Sequence, residues 1–216
     1  MENFFIFIST LAVFFLLLVL VELVRHHGKL EDYVARKLAH GGAGFLFLLL
    51  PLHFDAMQIV VVAVGFLVGL FISEKSGKSS IHRKDRKSVG EYFYPIALAL
   101  SAILLLPYGD WRAYAFAVAV LAFGDGMAEL VGRQWGVHRI GFVSVKKTWE
   151  GSLALFITTL IAFLVISPIF SIQIILAGLL VSVVITYAEM EFGHGLDNLV
   201  LPLLAGGLFI LTTSLL

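Results

Sequence analysis

The chain has 216 residues, of which 60% are hydrophobic and only 14% are Asp, Glu, Lys or Arg, against roughly 25% charged residues in soluble domains. Basic and acidic residues balance at 15 each, so there is no bulk attraction to nucleic acid, and the mean hydropathy of +0.99 excludes an ordinary soluble domain. There is no cysteine, which rules out disulfides, thiolate metal sites and a cysteine nucleophile.

In chain order, apolar segments run over residues 4–24, 38–52, 57–73, 92–106, 111–123, 152–167, 172–188 and 199–216. Several are shorter than the ~20 residues that cross a bilayer, and their polar ends are expected to continue the helices. The first segment lacks a basic start and a small-residue cleavage site, so it reads as a peripheral first helix rather than a cleaved signal. Short links at 53–56, 107–110 and 168–171 alternate with longer polar ones at 25–37, 74–91, 131–151 and 189–198. The first three long links hold 14 of the 15 Lys and Arg residues, and the opposite side holds only Arg112. By the positive-inside rule the long links are cytoplasmic and both termini lie outside. The expectation is an all-α, polytopic integral membrane protein of about eight transmembrane helices. It forms a single domain over residues 1–216 in the cell membrane, with its polar chemistry on the cytoplasmic face.

Four polar clusters carry candidate chemistry. In FGDGMAELVGRQWG, residues 123–136, Asp125 and Glu129 are spaced i, i+4 and share a helical face. A carboxylate inside a bilayer turns to a partner, a cation or a cavity. The pair is either a metal site or an interfacial pair bonded to a nearby lysine. In VKKTWEGSLA, residues 145–154, Lys146 and Lys147 precede a helix whose first turn includes Gly151 and Ser152. The positive end of that helix and the two lysines suit a triphosphate, although a lysine pair also anchors helices at the membrane surface. In ARKLAHGG, residues 35–42, Arg36, Lys37 and His40 open the second helix, as anchors and a packing histidine or as ligands. In AEMEFGHGLDNLVLP, residues 188–202, Glu189, Glu191, His194, Asp197 and Asn198 form an acidic link on a basic face. Mg²⁺ would explain that exception, since carboxylates and amide carbonyls are hard oxygen ligands; an exposed turn is the other reading.

Two look-alikes are set aside. SGKSS at 76–80 lacks the earlier glycine of a phosphate loop and follows a membrane segment. GDGMAE has Glu129 where the dinucleotide fingerprint needs Gly or Ala. The basic run HRKDRK at 82–87 reads as a surface for anionic headgroups. Taken together, basic groups lie at helix N-termini, and carboxylates lie near the C-terminal ends of the fifth and seventh segments. That layout matches the helix dipoles and suits a metal–triphosphate complex beside a membrane-dissolved substrate.

The sequence resembles the CTP-dependent polyprenol kinases, a group that includes dolichol, phytol and CTP-using diacylglycerol kinases within the membrane cytidylyltransferases. The resemblance rests on RKLAH at 36–40, GEYFYP at 90–95, GDGMAELVGRQWG at 124–136, KKTWEGSLA at 146–154 and GLDNLVLP at 195–202, in family order over residues 36–202. The first helix carries no family motif. The resemblance implies transfer of the γ-phosphoryl group of CTP to an isoprenoid or lipid alcohol, with Mg²⁺. It implies catalytic roles for Asp125, Asp197 and Lys147. Nucleotide binding falls to Arg36, Lys37, Lys146, Lys147, Gly132, Glu150, Gly151, Ser152 and Asn198. Candidate metal ligands are Asp125, Glu129, Glu189 and Asp197. One alternative is a cytidylyltransferase that makes a CDP-lipid, against which the missing later signature of that branch argues. The other is a small transporter, against which the scarcity of outward polar residues such as Asp55 and Arg112 argues.

Overall fold

The structure, a computed structural model, describes residues 2–76, 90–108, 111–141, 147–193 and 195–215. Lys146, His194, Asp110, residues 77–80 of the SGKSS stretch and the run at 82–87 lie outside the described residues. Among the described residues the regular structure is helical: α1 (Glu2–Gly28), α2 (Asp32–Leu49), α3 (Ala56–Ser76), α4 (Gly90–Leu105), α5 (Trp111–Ala119), α6 (Asp125–Gln134), α7 (Trp149–Ile166), α8 (Ile172–Glu191) and α9 (Asp197–Ser214). The expectation of an all-helical chain holds. No strand–turn–helix unit surrounds Gly124–Gly126, which lies inside a helix.

Among the described residues, five helical stretches are long and apolar enough to cross a membrane: Ile6–Gly28, Trp111–Gln134, Trp149–Ile166, Ile172–Glu191 and Asp197–Ser214. Two further apolar helical stretches, Ala56–Ile72 and Gly90–Leu105, are shorter. α2 carries Asp32, Arg36 and Lys37 in its first turns, which breaks its apolar run. Large apolar side chains cover the outside, among them Phe15, Val165 and Leu180, as expected where the surrounding solvent is lipid.

α5 forms the centre. Every residue from Ala113 to Ala119 is buried. Its Phe116 ring lies 5.4 Å from Phe163 of α7 and 5.4 Å from Phe209 of α9. Tyr114 donates its hydroxyl hydrogen to the Phe47 carbonyl at 3.2 Å, so the polar tip of a fully buried aromatic is satisfied. α7 starts where the Thr148 hydroxyl accepts from the Gly151 amide, and α8 where the Ser171 hydroxyl accepts from the Ile174 amide, both at 3.3 Å. Such caps satisfy amides that have no partner within the helix.

α5 and α6 form one continuous rod, joined by a wider π-helical turn at Val120–Gly124. A π-turn inserts one residue into the helical repeat and shifts the phase of all that follows. The apolar segment ends near Phe123, and its polar end continues the helix to Gln134 as expected, so Asp125 sits within the rod. α6 then packs against α7 through glycines. A Cβ built on Gly151 would lie 2.7 Å from the Ala128 carbonyl oxygen and 3.2 Å from the Gly132 Cα. We expect Gly151→Ala to push the two helices apart and to destabilise the fold by about 1–3 kcal/mol. Thermal unfolding in detergent measures this; an unchanged transition would mean the α6–α7 contact is loose.

Candidate active site

Residues from eight helices and from the segment before α7 meet in one cavity of about 260 Å³. The N-terminal ends of α2, α4, α7 and α9 reach it, as do the C-terminal parts of α3, α6 and α8. The polar links expected on one side therefore converge in space, although they are far apart in sequence.

The centre holds two knots of opposite charges. In the first, Lys37 Nζ lies 2.5 Å from Asp125 Oδ2 and 3.1 Å from Glu129 Oε2. Glu129 also takes Arg36 at 2.8 Å and Arg133 at 2.9 Å. Lys37 and Asp125 are both buried, which is tolerated only because each charge has a partner. In the second knot Lys147 pairs with Glu189, and its Nζ lies 3.6 Å from Asp197 Oδ2. Ser152 donates to the other oxygen of Glu189 at 3.4 Å. Burial alone would lower the pKa of the Lys147 ammonium. The Glu189 and Asp197 carboxylates outweigh it, so the pKa sits above the ordinary lysine value and Lys147 acts as a fixed positive charge rather than a base.

Local structure holds these groups in place. Lys147 stands beside an isolated antiparallel bridge between Arg139 and Thr148. Its carbonyl accepts from the Ile140 amide at 3.1 Å, and the Trp149 amide reaches the His138 carbonyl at 3.0 Å. Glu150 fastens the same pairing: it meets His138 Nδ1 at 2.6 Å and accepts from the His138 amide at 3.2 Å. Asn198 donates to the Gly90 carbonyl at 2.7 Å, tying α9 to α4. His40 Nε2 lies 3.3 Å from the Leu121 carbonyl, within the π-turn. The Tyr94 hydroxyl donates to the His40 carbonyl at 2.7 Å. An inserted side chain of this kind is a known cause of an interrupted helical ladder. His40 and Tyr94 thus brace the turn that aims Asp125.

Of the residues singled out in the sequence, Arg36, Lys37, Asp125, Glu129, Gly132, Lys147, Gly151, Ser152, Glu189, Asp197 and Asn198 line the cavity. Glu150 is turned toward His138 and is not among the lining residues. Tyr94 lines the cavity as well; the GEYFYP motif contains it, but spacing gave it no role.

Among the described residues, no three acidic or histidine side chains gather closely enough to enclose a cation alone. The donor set still fits Mg²⁺, which takes one or two carboxylates and completes its shell with substrate phosphates and water. Asp125 with Asp197 or Glu189 provides hard oxygen donors at a wall that also carries Lys37 and Lys147.

Several membrane-length helices in a fold that is helical throughout the described residues, with opposite charges gathered in one cavity at an end of the bundle, fit a membrane protein with a charge-lined pocket. The chain belongs to the cytidylyltransferase family, whose family model matches residues 1–193. It is 30% identical over 188 residues to a phytol kinase of Synechocystis sp., covering 79% of this chain and 75% of that one. It is 31% identical over 145 residues to phytol kinase 1 of Arabidopsis thaliana, and 28% identical over 145 residues to a farnesol kinase of the same plant. Those matches cover 59% of this chain, 46% of the plant phytol kinase and 45% of the farnesol kinase. The family resemblance read from the motifs is therefore upheld. No solved structure matches the chain.

Proposed function

We propose that the protein is a membrane-embedded kinase of an isoprenoid alcohol, with CTP as phosphoryl donor and Mg²⁺ as cofactor. The observation that carries this reading is the convergence of Lys37, Asp125, Lys147, Glu189 and Asp197 on one cavity, in a chain whose relatives are named phytol and farnesol kinases. The two lysines would exchange their carboxylate partners for phosphate oxygens. Asp125 and a second carboxylate, thereby released, would hold Mg²⁺, which neutralises phosphate charge when bound. Ser152, in the first turn of α7, would present its hydroxyl to the donor in exchange for Glu189.

Phosphoryl transfer asks mainly for positioning and charge neutralisation. The alcohol oxygen forms a bond to the γ-phosphorus while the bond to the bridging oxygen breaks, and CDP leaves. The alcohol proton needs an acceptor within reach. Asp197 is the less encumbered candidate: its Oδ2 is 3.6 Å from Lys147, whereas Asp125 holds Lys37 at 2.5 Å.

CTP labelled separately at the α- and γ-phosphates, supplied with Mg²⁺, phytol, farnesol and phosphatidate, tests the assignment. Transfer of γ label to an alcohol is expected. Transfer of α label to phosphatidate would make the protein a lipid cytidylyltransferase, and transfer of neither would sink the enzyme reading.

The same reading places eight helices across the cell membrane, both termini outside and the cavity toward the cytoplasm. The 14-to-1 split of basic residues supports it. Because the chain has no cysteine, single cysteines can be introduced directly. Lys29→Cys and Asp55→Cys, in the links after α1 and α2, should label from opposite sides of an intact membrane. Labelling from the same side would overturn the topology.

A further inference from the structure

The cavity has a second wall with a different chemistry. Leu18 of α1, with Phe66 and Leu70 of α3, lines it beside the ionic centre. Leu18 lies ten residues before the end of α1, and Phe66 ten before the end of α3, so each sits about 15 Å along its helix from the polar links. Phe66 continues a chain of aromatic rings. It is 6.5 Å from Tyr94 and 5.6 Å from Phe14 of α1, and Tyr94 lies 3.8 Å from His40 next to the charges. Apolar wall and ionic centre are thus one continuous space. Outward of the seam, Leu20, Val68 and Phe71 are exposed, and in a bilayer their neighbours are lipid tails.

We propose that this cleft between α1 and α3 holds the hydrocarbon chain of the acceptor alcohol, and that Leu18, Phe66 and Leu70 set which chains fit. The inference rests on the kinase reading and deepens it. A nucleotide base is the wrong occupant: its ring needs hydrogen-bond partners, and these three side chains offer none. A branched hydrocarbon needs only apolar surface and shape. The hydroxyl end then points along the aromatic chain toward Asp125 and Asp197. α1 thereby becomes part of the substrate site.

Leu18→Trp fills the cleft, and Leu20→Trp places the same bulk on the outer face. For Leu18→Trp we expect KM for phytol to rise about tenfold, with KM for CTP unchanged, as a bulk change in an apolar pocket does. Leu20→Trp should change neither value. A rise in KM for CTP, or an unaltered KM for phytol, would overturn the cleft. Photolabelling of the wild-type protein with a diazirine-bearing prenol supplies a readout that needs neither turnover nor the variant. Label on α1 or α3 peptides, displaced by farnesol, is expected. If that label appears but no alcohol is phosphorylated, the cleft stands and the kinase reading falls. If alcohols are phosphorylated and the label lies on other helices, the kinase reading stands and the cleft falls.

Discussion

Asp125→Asn is expected to insert and fold normally yet lose activity by about a hundredfold or more, the usual scale for removing one electrostatic group from a reacting centre. The amide keeps the size of the carboxylate but not the charge that a divalent cation needs. Folding survives because Lys37 keeps a second partner, Glu129 Oε2 at 3.1 Å, so the substitution leaves no buried ammonium alone. If Asp125 served packing only, neutralising it would leave activity intact. Glu129→Gln is the internal comparison. Glu129 is held by Arg36, Arg133 and Lys37, so its loss should weaken the brace between α2 and α6 and act on stability more than on turnover. Phosphorylation of phytol measured across a Mg²⁺ titration reads the difference. Near-normal activity of purified Asp125→Asn would move the metal assignment to Asp197.

Loss of Lys147 has two separable consequences. Glu189 is buried and paired with it, so Lys147→Gln leaves a buried carboxylate whose other side-chain contact is Ser152 at 3.4 Å. Breaking such a pair from one side costs roughly 3–5 kcal/mol. The double variant Lys147→Gln, Glu189→Gln removes both charges and should recover much of that stability. Nucleotide affinity should not recover. A lost charge-assisted contact is worth about 1.5–3 kcal/mol, roughly ten- to hundredfold in Kd. The exposed Lys29→Ala is the control for bulk charge. Thermal unfolding and CTP binding, measured on all three, separate the roles. Equal loss of CTP affinity in Lys147→Gln and Lys29→Ala would reduce Lys147 to a contribution to surface potential.

The polar centre was legible in the sequence because carboxylates and lysines in a greasy chain have few affordable places. Asp125, Lys147, Asp197 and Asn198 stand at segment ends on the side that collects basic residues, and the structure brings them to one cavity. What spacing could not show was direction. Glu150 is the immediate neighbour of the cavity-lining Gly151, yet it is drawn to His138 beside the Arg139–Thr148 bridge. Tyr94 and His40 are distant in sequence, and only packing makes them a brace. The role of Leu18 depends on α3 lying beside it, a tertiary fact with no signature in an unbroken apolar run. The apolar runs were legible, although among the described residues five helical stretches, not eight, are long and apolar enough to cross a membrane. The lengths of the runs were less so, because Arg36 and Lys37 enter α2 before its apolar stretch begins.

The π-turn at Val120–Gly124 makes the rod from Trp111 to Gln134 two rulers with different zero marks. Upstream, the count is set by the aromatic core around Phe116; downstream, by Lys37 and by Gly151 of α7. One residue of difference corresponds to about 100° of rotation. Within the wide turn a deletion is absorbed, because it removes the residue that the turn accommodates and leaves a regular helix. Beyond the turn it is not absorbed: one residue lost between Gly126 and Val131 would set Gly132 out of line with Gly151. Among relatives that share this architecture, the spacing from Asp125 to Gly132 should vary far less than the residues that fill it.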